Sequence, residues 1–231
     1  MKALLLSAGF GTRLSPLTDK IPKVMVPINK KPCIEYCIEN LKKQGIKEFL
    51  INTHYLPEEI KKYFGNGKKF GIKINYSFEK QILGTAGSLN NFKTQLNETF
   101  LVVCADVLAN FNIKKAINIH KKNKADITLF LDKKRSFKDK GLVIKEKNLV
   151  KMFVEKPQKK ISKAYINSGF YIVEPSILSE IPPGFYDFGK DLFPKIINKK
   201  KICCVDHEGY IFDIGTLEDL KKAEEFLQKN L

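Results

Sequence analysis

The chain has 231 residues and 26.4 kDa, enough for one large domain, and its 43% hydrophobic and 29% charged residues exclude wholesale disorder. Lys+Arg 41 against Asp+Glu 25 leaves a formal charge of +16, yet arginine occurs only at Arg13 and Arg135. Readers of nucleic acid rely on the planar guanidinium for phosphates and base edges. The balance therefore speaks for a lysine-biased soluble surface that steers polyanionic ligands, with no nucleic-acid partner.

In chain order, short apolar runs alternate with amphipathic stretches, the pattern of a layered α/β domain. Ala3 to Ser7 reads as a buried strand running into the glycine loop Gly9-Phe10-Gly11. A helix is expected from Pro32 to Gln44, stopped by Gly45, then a strand from Glu48 to Asn52. Pro57-Glu58-Glu59 opens a second helix through Phe64, and Ile72 to Phe78 forms a third strand. The loop Leu83-Gly84-Thr85-Ala86-Gly87 follows, with another helix after it, and the strand Phe100 to Cys104 delivers Asp106 at its carboxyl end. Later strands are expected at Asp126–Asp132, Gly141–Lys145, Leu149–Glu155 and Ile166–Val173, and helical segments at Asn112–Asn123 and Pro175–Ile181. The last helix starts after Gly215, with Thr216 as its cap and Asp219 three residues on.

No internal repeat, low-complexity tract or long linker interrupts residues 1–231, which read as one domain. Five cysteines (Cys33, Cys37, Cys104, Cys203, Cys204) without a CxxC spacing argue against a zinc framework and fit a reducing, cytoplasmic setting. The apolar start Ala3-Leu4-Leu5-Leu6 is too short for a secretory segment, and no apolar run approaches the roughly 18 residues that span a bilayer.

The strongest chemical signal is Ser7-Ala8-Gly9-Phe10-Gly11-Thr12-Arg13, with Lys23 ten residues beyond. Glycines let backbone N–H groups approach phosphate oxygens, and bordering cations balance a triphosphate. A dinucleotide fingerprint needs a third glycine where Leu14 stands, and a Walker loop needs Gly-Lys-Ser/Thr, so neither fits. On its own the segment reads equally as a tight turn flanked by surface cations. Taken singly, Asp106 also reads as a strand-end cap, Asp213 as a turn-closing residue and Lys156-Pro157 as an exposed turn. His54, His120 and His207 are dispersed and receive no catalytic or metal role.

Together the segments Ser7 to Leu14, Pro16-Leu17-Thr18, Pro22-Lys23 and Pro27 closely resemble the signature of sugar-1-phosphate nucleotidyltransferases. Leu83 to Gly87, Asp106 after a buried strand, Glu155-Lys156-Pro157, Asn167-Ser168-Gly169 and Phe212-Asp213-Ile214-Gly215-Thr216 follow in that family's order. The short members acting on heptose or mannose 1-phosphate are the most similar, notably at Asp191-Leu192-Phe193-Pro194 and Asp213 to Thr216. Departures are Ala105-Asp106 where Gly-Asp is usual, and Ser7 and Ser168 where alanine or glycine is commoner. The β-helix extension of larger members is absent from the sequence.

The resemblance implies a Rossmann-like three-layer α/β domain with a predominantly parallel mixed sheet, the nucleotide-diphospho-sugar transferase fold. It implies attack by a sugar 1-phosphate on the α-phosphorus of an NTP, with release of pyrophosphate. Because both reactants are anions, catalysis is chiefly positioning and neutralisation. Asp106 and Asp213, at strand ends, would hold Mg²⁺; Arg13 would face the β,γ-phosphates, Lys23 the phosphates nearer the reaction, and Lys156 the sugar phosphate. Ser7, Ala8, Gly9, Gly11 and Thr12 would line the nucleotide, Gly84 and Thr85 the nucleoside, and Glu155 and Asn167 the sugar hydroxyls. Glu79, five residues before Gly84, would accept from guanine N1–H and its amino group, which favours GTP over UTP; the alternative is a solvated strand-end charge. Competing readings are uridylyl, thymidylyl or cytidylyl transfer to another sugar or a small alcohol phosphate, and a non-catalytic nucleotide or sugar-phosphate sensor. The oligomeric state is left open, a homodimer included.

Overall fold

The computed structural model describes residues 1–133, 140–159 and 161–230. Its strands are β1 Ala3–Leu6, β2 Pro27–Ile28, β3 Lys31–Pro32, β4 Glu48–Thr53, β5 Lys73–Phe78, β6 Phe100–Cys104, β7 Val107–Ala109, β8 Ile127–Asp132, β9 Leu142–Glu146, β10 Leu149–Val154, β11 Tyr165–Val173, β12 Ile202–Asp206 and β13 Ile211–Asp213. The α-helices are α1 Cys33–Lys43, α2 Pro57–Phe64, α3 Gly84–Gly87, α4 Ile113–Asn123, α5 Phe193–Ile196 and α6 Leu217–Asn230. Two units partition the chain: a first of residues 2–82, 104–111 and those from 208 on, and a second of residues 83–103 and 112–207 with Met1.

In the first unit β1, β4 and β5 are parallel, with Ala3 opposite Phe49 and Phe49 opposite Ile74. Ala3, Leu4 and Leu5 are fully buried, so the strand is apolar throughout, as a strand covered on both faces must be. Antiparallel β7 and β13 pair Val107 with Asp213 and Ala109 with Ile211. Beneath them Leu14, Val26, Ile28, Cys33, Leu108, Ile214, Leu220, Ala223 and Leu227 form one apolar core. Tyr210 and Phe212 stack on Phe226 of α6 at 4.9 and 5.1 Å between ring centroids. Thr216 caps α6, its Oγ1 accepting from the Asp219 N–H at 3.2 Å.

In the second unit β11 runs antiparallel to both β6 and β8, while β12 is parallel to β8. The sheet of this unit is therefore mixed, and the α/β class with a mixed sheet is as expected. Pairing is wholly parallel only among β1, β4 and β5, and most strand pairs of the second unit are antiparallel. A β-bulge between Asn167 and Tyr171 re-aims β11 within the Asn-Ser-Gly segment. The rings of Phe153, Tyr171, Phe188 and Phe193 pack together, with Phe153–Phe193 and Tyr171–Phe188 both at 4.8 Å.

Four expectations are refined in detail, and one element is added. Pro32 is extended (φ −54°, ψ 140°) and precedes α1 instead of opening it. Leu83 to Gly87 is no loop, since Gly84–Gly87 is helical, and Ser88–Phe92 and Pro175–Glu180 are 3₁₀ turns. The helical stretch from Phe188 to Ile196 went unanticipated.

Candidate active site

In the first unit, β1 is followed directly by Ser7, which is buried, as is Ala8. The chain then emerges at Gly9, where an added side chain would meet no protein atom within 4 Å. Gly11 is the opposite case. It has φ 71°, and a Cβ there would lie 2.7 Å from Lys23 Cβ and 3.1 Å from Thr18 Cγ2. Only glycine permits this backbone so close to Lys23. Thr18 Oγ1 donates to the Gly11 carbonyl at 2.9 Å and pins the turn. Thr12 and Arg13 begin a 3₁₀ turn and are exposed, and the Arg13 guanidinium rests against Gly215.

Asp106 lies in the turn between β6 and β7, and Asp213 is the last residue of β13. The β7–β13 register places Asp213 opposite Val107, and the Ile214 N–H donates to the Asp106 carbonyl at 3.0 Å. This ladder brings together two carboxylates that are remote in sequence. Lys23 Nζ donates to Asp106 Oδ2 and lies 3.8 Å from Asp213 Oδ1. The Lys23 side chain is only 12% exposed, so the ammonium is held between the carboxylates and not in bulk water. Cys33 and Cys37 sit nearby, fully buried or nearly so. Burial first, and then the charge of Asp106, pushes both thiols up, Cys37 to about 12, so neither is a reactive thiolate.

Asn52 was not anticipated. Its Oδ1 accepts from the Ser7 N–H and its Nδ2 donates to Glu79 Oε1, both at 2.8 Å. Ser7, Asn52 and Glu79 are each 2% exposed, so Glu79 is not a solvated strand-end charge. The His54 Nδ1–H donates to the Glu79 carbonyl at 2.7 Å. One buried amide thus ties the ends of β1 and β4 to the residue just after β5. Its only trace in the sequence is a polar residue closing an apolar strand.

In the second unit, Ala86 and Gly87 N–H groups donate to the Tyr186 carbonyl at 3.0 and 2.8 Å, which fixes α3 and Gly84. Thr85 Oγ1 donates to Asp187 Oδ2 at 2.7 Å and accepts from the Phe188 N–H at 2.9 Å, so its hydroxyl is committed within the protein. Asp187 Oδ1 in turn accepts from the N–H groups of Gly189 and Lys190. Glu155 is half-buried, and its Oε2 would stand 2.3 Å from a side chain at Gly189 and 2.8 Å from one at Gly141. Burial, then the charge of Asp187, raises its pKa, with Lys156 and Lys190 opposing. Lys156 is exposed at φ 45°, its N–H donating to the Lys140 carbonyl at 3.2 Å. Asn167 Nδ2 donates to the Tyr171 hydroxyl at 2.7 Å. Asp187, Gly141 and Gly189 had no expected role, because each acts through a contact remote in sequence.

The geometry therefore collects Ser7 to Arg13, Lys23, Glu79, Asp106 and Asp213 in the first unit, and Gly84, Thr85, Glu155, Lys156 and Asn167 in the second. Comparison with known proteins matches the chain to a family. A "UTP--glucose-1-phosphate uridylyltransferase" of Synechocystis is 36% identical over 96% of this chain, which spans 62% of that relative's length. A "D-glycero-alpha-D-manno-heptose 1-phosphate guanylyltransferase" of Aneurinibacillus thermoaerophilus is 35% identical over 99% of both chains. The crystal structure of HddC from Yersinia pseudotuberculosis complexed with GMP-PN superposes with a TM-score of 0.83 at 26% identity, covering 98% of this chain and 99% of that one. The nucleotidyl transferase family model matches residues 2–230, and with relatives of this similarity the chain belongs to that family.

Proposed function

We propose that the chain is a sugar-1-phosphate nucleotidyltransferase, working as one catalytic domain that joins an NTP to a sugar 1-phosphate and releases pyrophosphate. The observation that carries this reading is the convergence of Lys23, Asp106 and Asp213 beside the Gly9–Gly11 loop. Both reactants are anions, so their approach requires positive charge and backbone N–H donors where phosphates meet. Gly9 leaves open space for a phosphate, and Arg13 and Lys23 flank the loop with charge-assisted donors.

The donor set fits a hard divalent cation. Two carboxylates converge, and the Lys23 ammonium lying against both supports a preference for positive charge there. Among the described residues, no group of three or more His, Cys, Asp and Glu side chains is placed to hold a metal. That suits Mg²⁺, which takes one or two carboxylates and completes its shell with water and substrate phosphates. Bound by Asp106 and Asp213, Mg²⁺ would supply neutralisation of phosphate charge at the reacting centre. Lys156 is proposed to bind the sugar phosphate, with Glu155 and Asn167 at the sugar hydroxyls. The sugar phosphate is itself the nucleophile, so no protein nucleophile is needed.

GTP and a mannose- or heptose-configured sugar 1-phosphate are the favoured substrates, supported by the guanylyltransferase name of the relative matched over 99% of its length. Glu79 is proposed to select the base, guanine trading the Asn52 hydrogen bond for its own two donors. The Synechocystis relative's name supports a second reading, UTP with glucose 1-phosphate. The enzyme is proposed to act in the cytoplasm; among the described residues no helix is long and apolar enough to cross a membrane. A homodimer is the proposed assembly, to be checked by light scattering. The experiment is a pyrophosphate-release matrix of four NTPs against mannose, heptose, glucose and N-acetylglucosamine 1-phosphates. Release should be greatest with GTP and mannose or heptose 1-phosphate; release with none would leave the sensor reading, and a UTP–glucose maximum the second.

A further inference from the structure

Lys23 is assigned above to a phosphate, yet its ammonium lies on the two carboxylates proposed to hold the divalent ion. Resting on the nucleotidyltransferase reading, we infer that Lys23 is the resident counter-ion of the Asp106–Asp213 pair in the nucleotide-free enzyme. It keeps a divalent cation out until a nucleotide draws its ammonium away. Asp106 and Asp213 are about a quarter exposed and Lys23 less, so the ammonium and the two carboxylates compensate one another out of bulk water. An ion arriving alone must displace the ammonium and leave two cations crowded in a half-buried site. A nucleotide removes that obstacle, because its phosphate oxygens accept the displaced ammonium and also complete the ion's shell. The loop lies beside Lys23, since a Cβ added at Gly11 would meet the Lys23 Cβ at 2.7 Å, so a phosphate seated on the loop would lie beside Lys23. Metal and nucleotide then bind with positive coupling, and by linkage each raises the other's affinity by the same factor.

The test is binding of Mn²⁺ alone to the full chain without nucleotide, followed by electron paramagnetic resonance. Lys23→Met should bind Mn²⁺ roughly tenfold to a hundredfold more tightly than wild type, the worth of one charge-assisted contact. The gain should disappear when Asp213→Asn is added. Unchanged or weaker binding in a folded Lys23→Met, or a gain that survives Asp213→Asn, overturns the inference. Should Lys23→Met not fold, wild type decides the matter. It should bind Mn²⁺ alone no more tightly than Asp213→Asn does, and clearly tighter binding contradicts the lock. The enzyme reading is separable from this one. Metal-dependent pyrophosphate release lost in Asp213→Asn, combined with unchanged Mn²⁺ binding in Lys23→Met, sinks the lock and leaves the catalytic reading standing.

Discussion

The candidate site residues of the two units sit in different electrostatic settings. In the first, opposite charges meet: Lys23 lies between Asp106 and Asp213, and the β7–β13 ladder holds the carboxylates together. Around Glu155 of the second, which packs on Gly141 and Gly189, burial and then the like charge of Asp187 lift its pKa against the opposing Lys156 and Lys190. Compensated charge of this kind suits highly charged phosphates and a cation. A half-buried carboxylate with a raised pKa suits hydroxyl partners and is the more sensitive to pH.

The largest effect should come from breaking the compensated side. Asp106→Asn and Asp213→Asn should each lower turnover by orders of magnitude, the several kcal/mol attributed to metal-held phosphate charge, with circular dichroism unchanged. Near wild-type turnover at saturating Mg²⁺ would remove that carboxylate from the chemistry. Next, Arg13→Ala should raise the KM for NTP and Lys156→Ala the KM for sugar phosphate, each about tenfold to a hundredfold. If Arg13→Ala raises only the sugar-phosphate KM, the two cations serve the reverse ends.

The glycine loop sharpens the comparison further. Gly11→Ala should destabilise the fold by about 1–3 kcal/mol, because a φ of 71° strains alanine and its Cβ meets Lys23. Gly9→Ala meets no protein atom and should leave stability within about 0.5 kcal/mol, while raising the KM for NTP. Urea midpoints of the two variants check the pair, and equal stability loss would mean that Gly11 is not the constrained position.

The smallest effect lies in the second unit. A carboxyl with a raised pKa binds its proton more readily folded than unfolded. Glu155 therefore contributes stability that is fully present below the ordinary glutamate value and lost as pH rises through its raised value. Glu155→Gln should flatten the melting temperature over that acidic window and leave the variant no less stable at neutral pH. A slope identical to wild type would show that Glu155 is not held in this way.

Much of the first unit was legible in the sequence because its signals are local. A buried strand, two glycines, an arginine and aspartates at strand ends each announce themselves within a few residues. Asn52, Asp187, Gly141 and Gly189 were illegible for the opposite reason. Asn52 matters only because β1 and β4 are neighbours, and the two glycines only because Glu155 packs on them. The helical stretch after Asp187 was missed although its cap, a side chain accepting from the Gly189 and Lys190 N–H groups, is a local signal. Its Pro194 stands inside that stretch, where a proline in the sequence argues against a helix. Glu79 was read as a strand-end residue, yet its burial on Asn52 could not be inferred from a strand-end position.

The central claim is tested most directly by following labelled GTP with mannose 1-phosphate and Mg²⁺. Label on the α-phosphorus should appear in the sugar nucleotide and label on the γ-phosphorus in pyrophosphate, with both transfers lost in Asp106→Asn. Label from the γ-phosphorus in inorganic phosphate or in the sugar, or no α-label transferred from any NTP to any sugar 1-phosphate, would contradict the account.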